Sequence, residues 1–275
     1  MAILLALLSS VLWGTGDFLG GLRSRSRPAV AVVAGSMLSG LVVIAVIALV
    51  YGAYDDPSGW LPWAVLAGVA GAAGLTAFYW ALASGTMGVV SPIAALGVSV
   101  PVVIGFIRGE VPSALQTVGL VVALAGAIAT SGPELSGRVS GRSVQLAAFA
   151  GVCFGLVFVA VDQGAKSSPM MTLIAMRITS LALFVIAAAA LRTLGGLDRT
   201  DIWPLTVIGT FDVTANLMFA LASNRGYVSV VSVLGSLYPV MTVLLARAVL
   251  HERMQTIQTA GVGVTMLGVV FISAG

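Results

Sequence analysis

Polar residues are scarce along this chain and fall in short clusters. Between the clusters run apolar stretches of roughly 20 residues, the length needed to cross ~30 Å of hydrocarbon at 1.5 Å per residue. Ten of them predict helices near 2–21, 29–50, 60–82, 89–107, 113–131, 144–163, 169–191, 203–222, 228–250 and 255–274. Most separators are brief and turn-forming, such as Asp55-Asp56-Pro57-Ser58-Gly59. The one long separator, GPELSGRVSGRS at 132–143, has the Gly, Ser and Pro content of a linker.

The pattern repeats across that linker. Ala81-Leu82-Ala83-Ser84 returns at 220–223, Leu96-Gly97 at Leu234-Gly235, Pro101-Val102 at Pro239-Val240, and Gln116-Thr117-x-Gly119 at Gln258-Thr259-x-Gly261. More faintly, Trp13-Gly14 matches Phe154-Gly155 and Pro28 matches Pro169. The chain therefore divides into a first five-helix repeat (1–131), a linker (132–143) and a second five-helix repeat (144–275). Five is odd, so the second repeat enters the membrane from the opposite face. The expected fold is all-α and integral to the membrane, with ten transmembrane helices in two inverted five-helix repeats. Duplicated membrane units of this kind build secondary transporters that hold substrate between their halves.

Composition agrees about the solvent. With 59% hydrophobic and 8% charged residues and a mean hydropathy of +1.09, too little charge is present to clothe a water-soluble domain. The net charge of +3 does not point to nucleic acid, because the basic residues are dispersed and form no continuous face. A single cysteine, Cys153, leaves no internal disulfide, and a single histidine, His251, leaves no metal site. No cofactor is expected. The N-terminal stretch lacks the basic start of a secretory signal and reads as a retained first helix.

Three ionisable residues fall well inside predicted spans, away from their ends: Asp17, Arg177 and Asp212. A charge near the bilayer centre costs at least ~2.5–3.5 kcal/mol on insertion scales, so each requires a partner or a wet cavity. Counting depth along the spans sets Arg177 and Asp212 about 5 Å apart axially, and Asp17 beyond the midplane, more than ~10 Å from Arg177. An Arg177–Asp212 pair is favoured, either as a tie between helices or as part of a site. Asp17 is left to face a cavity or to reach toward Arg23 or Arg25. Trp13, Tyr79, Trp80, Asn216 and Tyr238 add bulk and hydrogen-bonding handles within spans, and read as pocket linings or as packing and interfacial aromatics. Pro101 and Pro239, about midway along spans four and nine, mark helix breaks beside a pathway or simple packing kinks. Glu110 and Glu252, just before spans five and ten, suit the positive end of the helix each precedes.

The paired units resemble the EamA family of the drug/metabolite transporter superfamily. The likeness covers nearly the whole chain and rests on Trp13-Gly14, on Pro101 and Pro239, and on Glu110/Gly119 and Glu252/Gly261. Family members often carry an arginine in the second helix of a repeat; Arg177 matches, whereas the first repeat has Ser36 there. The resemblance implies a ten-helix carrier of the cytoplasmic membrane that exports small metabolites such as amino acids or amines, driven by an ion gradient or by exchange. The expected partners are a small-molecule substrate, the lipid bilayer and protons as coupling ion, with no nucleic acid and a monomeric state. A membrane-embedded enzyme is disfavoured, since the spans contain no nucleophile–base or metal constellation. A channel or lipid-handling protein is the competing class. Loop charges bear on orientation: nine arginines (23, 25, 27, 138, 142, 192, 199, 247 and 253) lie on one face against Arg108, Lys166 and Arg225 on the other. The positive-inside rule makes the nine-arginine face cytoplasmic and puts both termini outside, opposite to what the resemblance implies.

Overall fold

The computed structural model describes residues 1–53, 58–84, 87–131, 141–192, 196–250 and 256–275, and no strand occurs among them. This follows from the composition, because a backbone in lipid must satisfy its own polar groups. Twelve helices are described: α1 (Ala2–Arg23), α2 (Ala29–Tyr51), α3 (Leu61–Ser84), α4 (Met87–Ala95), α5 (Ser99–Ile107), α6 (Ala114–Ser131), α7 (Gly141–Ala165), α8 (Pro169–Leu191), α9 (Ile202–Ser223), α10 (Val228–Gly235), α11 (Tyr238–Leu250) and α12 (Thr256–Ala274). Seven helical segments are long and apolar enough to cross a membrane, α10 and α11 counting together as one, and three shorter apolar helices lie at Ile93–Ile107, Ala114–Ala129 and Thr259–Ala274. The chain is a multi-pass integral membrane protein, and its outer surface carries exposed apolar side chains such as Leu4, Val42, Leu49, Val121, Ile186 and Val270.

Local chemistry sets the ends. Ser168 caps α8 by accepting from Met171 N at 3.2 Å, with Pro169 in the first turn. Gly52 closes α2 in the left-handed conformation, φ +67°.

The fourth and ninth predicted spans are each broken in two. A 3₁₀ turn over Leu96–Val98 separates α4 from α5, and Ser236-Leu237 separates α10 from α11. The breaks thus precede Pro101 and Pro239 rather than coinciding with them. Each proline sits in the first turn of the following half-helix, where its missing N–H leaves no intrahelical bond unmade. Both breaks press on the first helix of the other repeat. The Gly155 backbone on α7 comes so close to Gly97 O that a Cβ would approach it to 2.4 Å, and Gly14 on α1 stands in the same relation to Tyr238 O at 2.5 Å.

Packing between the halves obeys an exchange rule. α3 lies along α7 as α9 lies along α1; α2 meets α9 as α8 meets α3; α4 rests on α7 as α10 rests on α1. α2 with α8 and α6 with α12 pair with their own counterparts, as helices beside a pseudo-two-fold axis must. α6 and α12 run antiparallel, since Gly119 faces Gly268 and Ile272, Ala123 faces Gly268, and Gly126 faces Thr265.

Polar contacts at both ends tie one half to the other. At the arginine-rich end, Arg23 pairs with Asp201, and Arg27 pairs with Asp198, with Asp201 at 3.1 Å and with Gly196 O at 3.0 Å. The Asp198 carboxyl is held at about 2 by the Thr200 hydroxyl, the Thr200 backbone N–H and Arg27. At the opposite end, Asp162 lies 3.3 Å from Arg108 and 3.5 Å from Lys166. Beside it, Glu110 accepts from Val228 N at 2.7 Å and Ser229 N at 3.0 Å.

Candidate functional site

A cavity with about 60 Å³ of water-accessible space lies among α1, α2, α3, α7, α8, α9 and α11. That is room for roughly four to six waters or a small solute. α1 supplies Trp13 and Asp17, four residues apart and so on one face. α9 supplies Asp212 and Asn216 at the same spacing, with Asn216 Nδ2 donating to Asp212 O at 2.7 Å. Gly16 faces α9, where a Cβ would make ordinary contact, 3.6 Å from Phe211 Cβ and 3.7 Å from Ile208 O.

Arg177 enters from α8 and is 1% exposed. Its Nη2 donates to Asp212 Oδ2, while its Nε has no partner among the described residues. The Tyr238 hydroxyl, from the start of α11, is likewise buried without a partner among them. Among the described residues, no hydrogen bond or ion pair reaches the Asp17 carboxylate, which stands in the same cavity as the Arg177–Asp212 pair. The axial separation of Asp17 from Arg177 counted from sequence thus does not keep the two out of one cavity. Asp17 does not reach to Arg23, which is engaged by Asp201.

Of the residues singled out from sequence, Trp13, Asp17, Arg177, Asp212, Asn216 and Tyr238 converge here. Tyr79 and Trp80 do not line the cavity. Adjacent helical residues point about 100° apart, and Tyr79 is buried against Gly20 of α1. Trp80 is 46% exposed and lies under the Arg142 guanidinium, 4.7 Å from its ring centroid. Neither Pro101 nor Pro239 lines the cavity. Glu110 serves a helix end, but that of α10 in the other repeat rather than of α6. Glu252, His251, Arg253 and Arg138 lie outside the described residues.

Sequence reasoning missed the apolar wall: Met37, Leu75, Phe154, Val157, Phe158 and Met176. The duplication held the signal for part of it. Phe154 occupies the place of Trp13, and Phe158, one turn on, the place of Asp17. These aromatics interlock, with Trp13 and Phe158 centroids 5.4 Å apart and Phe158 stacked on Phe219 at 4.8 Å.

Residues 1–132 and 141–274 both match the family model described as the EamA-like transporter family. The chain belongs to that family. A crystal structure of a protein with 19% sequence identity aligns over 99% of this chain and 96% of its own, at TM-score 0.79. That likeness shows the fold alone. No curated protein matches the chain. EamA-like proteins generally transport small solutes and are transporters rather than enzymes. In this member the cavity presents one carboxylate outside the ion pair, two donors without a partner among the described residues, and the aromatic faces of Trp13 and Phe158.

Proposed function

We propose that this protein is a secondary carrier that exports a small amine-bearing solute, such as an amino acid, across the cytoplasmic membrane by alternating access. The observation that carries the reading is the Asp17 carboxylate, buried in the central cavity without a partner among the described residues. An ammonium group on Asp17 would gain a charge-assisted hydrogen bond in a low-dielectric site, and the Trp13 and Phe158 rings offer the same cation their faces. Arg177 Nε and the Tyr238 hydroxyl are donors suited to a solute carboxylate or carbonyl. A phosphate ester would want several cations, and the one arginine is already committed to Asp212.

In this reading the ten apolar segments all cross the membrane, the repeats at 1–131 and 144–275 are inverted about the linker 132–143, and the carrier acts as a monomer. The antiparallel α6–α12 pair supports the inversion. Protons are the coupling ion, with Asp17 alternately binding a proton and the amine. The mostly buried lining favours a carrier over a channel.

Proteoliposomes loaded with a panel of metabolites test the reading, comparing efflux by the parent and by Asp17→Asn at two pH values. The parent should favour amine-bearing solutes and respond to pH, and the variant should lose at least tenfold in rate. PH-independent efflux unchanged in the variant removes Asp17 from the mechanism, and preferred efflux of a phosphate ester overturns the solute class.

A further inference from the structure

Half-helix α10 is buried along its whole length, every residue from Val228 to Gly235. Its inner end adjoins the cavity: Gly235 packs beside the Trp13 ring, and Tyr238, three residues on, lines the cavity wall. Its outer end faces away from the arginine-rich loops, where Gly226 sits beside Ala2. α10 therefore fills the space between the cavity and that surface.

One side chain from the other half fixes its outer end. The chain leaves α5, reverses at Gly109 with φ +84°, and donates from Glu110 N to Gly105 O at 3.0 Å. The Glu110 side chain then folds back over Gly105, where a Cβ would lie 2.4 Å from Oε2. Its two carboxylate oxygens accept from Val228 N and Ser229 N, the first donors of α10. The buried side of α10 is not wholly apolar. Ser229 and Ser232 are 0% exposed, and neither hydroxyl has a hydrogen-bond partner among the described residues. A hydroxyl unmet in a dry interior is costly, whereas one that is wetted for part of a transport cycle is satisfied then.

We propose that α10 is the gate on the side opposite the arginine-rich loops, that Glu110 is the latch holding it shut, and that Ser229 and Ser232 line the solute path uncovered when it opens. The proposal rests on the carrier reading. Glu110 is a positioning residue: it touches no solute in the closed cavity and acts by holding the helix end that precedes Tyr238. Release of the carboxylate frees two helix-terminal N–H groups to water and lets α10 turn about Ser236-Leu237.

Access measured from each side tests it. In a Cys153→Ala background, Ser232→Cys is labelled with a membrane-impermeant maleimide in vesicles of both orientations, with Glu110 intact, with Glu110→Gln and with Gly105→Ala. The glutamine loses one acceptor and the charge; the alanine keeps the charge but displaces the carboxylate. Folding is checked beforehand by thermal melting monitored through tryptophan fluorescence. Loss of a cap of this kind should speed labelling roughly five- to tenfold from the side opposite the arginine-rich loops, and leave it slow from the other. Unchanged labelling in both folded variants, or a rise of equal size from both sides, overturns the gate. Labelling needs no solute, so a parent that transports no amine yet shows the one-sided response sinks the proposed substrate and leaves the gate standing.

Discussion

Arg177 is 1% exposed, and its charge is tolerable there because Asp212 meets it. Removing one partner should therefore hurt more than removing both. Asp212→Asn strands a buried cation at a cost of about 3–5 kcal/mol, and combining it with Arg177→Gln should recover part of that loss. Melting temperatures of the two single variants and the double variant measure this; simply additive losses would show that the residues stabilise independently. The three intramembrane charges were legible because lipid makes each one conspicuous in sequence. Met37, Leu75 and Met176 were not, since an apolar residue facing a cavity looks the same in sequence as one facing lipid. Nor was the tie Asp162 makes between the halves, since Arg108 stands 54 residues earlier in the chain, although its neighbour Lys166 is one turn away in sequence.

The half-helices show what pattern resolves at the scale of an element. Length and hydropathy placed a span at 89–107, and repetition marked Leu96-Gly97 with its counterpart, but hydropathy alone cannot show a helix broken within an apolar run. The break is held by contact with α7, where a Cβ on Gly97 would lie 1.8 Å from Gly151 O, backbone that cannot move aside. Gly97→Ala should therefore destabilise by at least roughly 1–3 kcal/mol, the usual range for overpacking. Gly263→Ala makes the contrast: it lies in α12 with nothing within 4 Å of a new Cβ, and relief of glycine's backbone entropy should stabilise by about 0.5–1 kcal/mol. Thermal unfolding in one detergent compares them, and equal effects would show that the approach of the Leu96–Val98 turn to α7 does not decide stability.

For the whole molecule, the exchange rule in the packing was foreshadowed by the duplicated sequence, while the pairing of halves was not, because sequence repeats say nothing about which faces meet. Sidedness follows from both. The residues after α1, before α9 and beside Trp80 gather the arginines at one end, and the positive-inside rule predicts a cytoplasmic place for that end. A C-terminal reporter active only in the cytoplasm should then stay silent; activity would reverse the orientation. The ion cluster at that end has a further consequence. Its Asp198 carboxyl, at about 2, is depressed below the ordinary range, so its contribution is complete above pH ~4 and disappears only as pH falls through about 2. Across the range in which cells live, this fastening exchanges no proton at Asp198, and a pH profile of transport reports on groups elsewhere, free of background from that carboxyl.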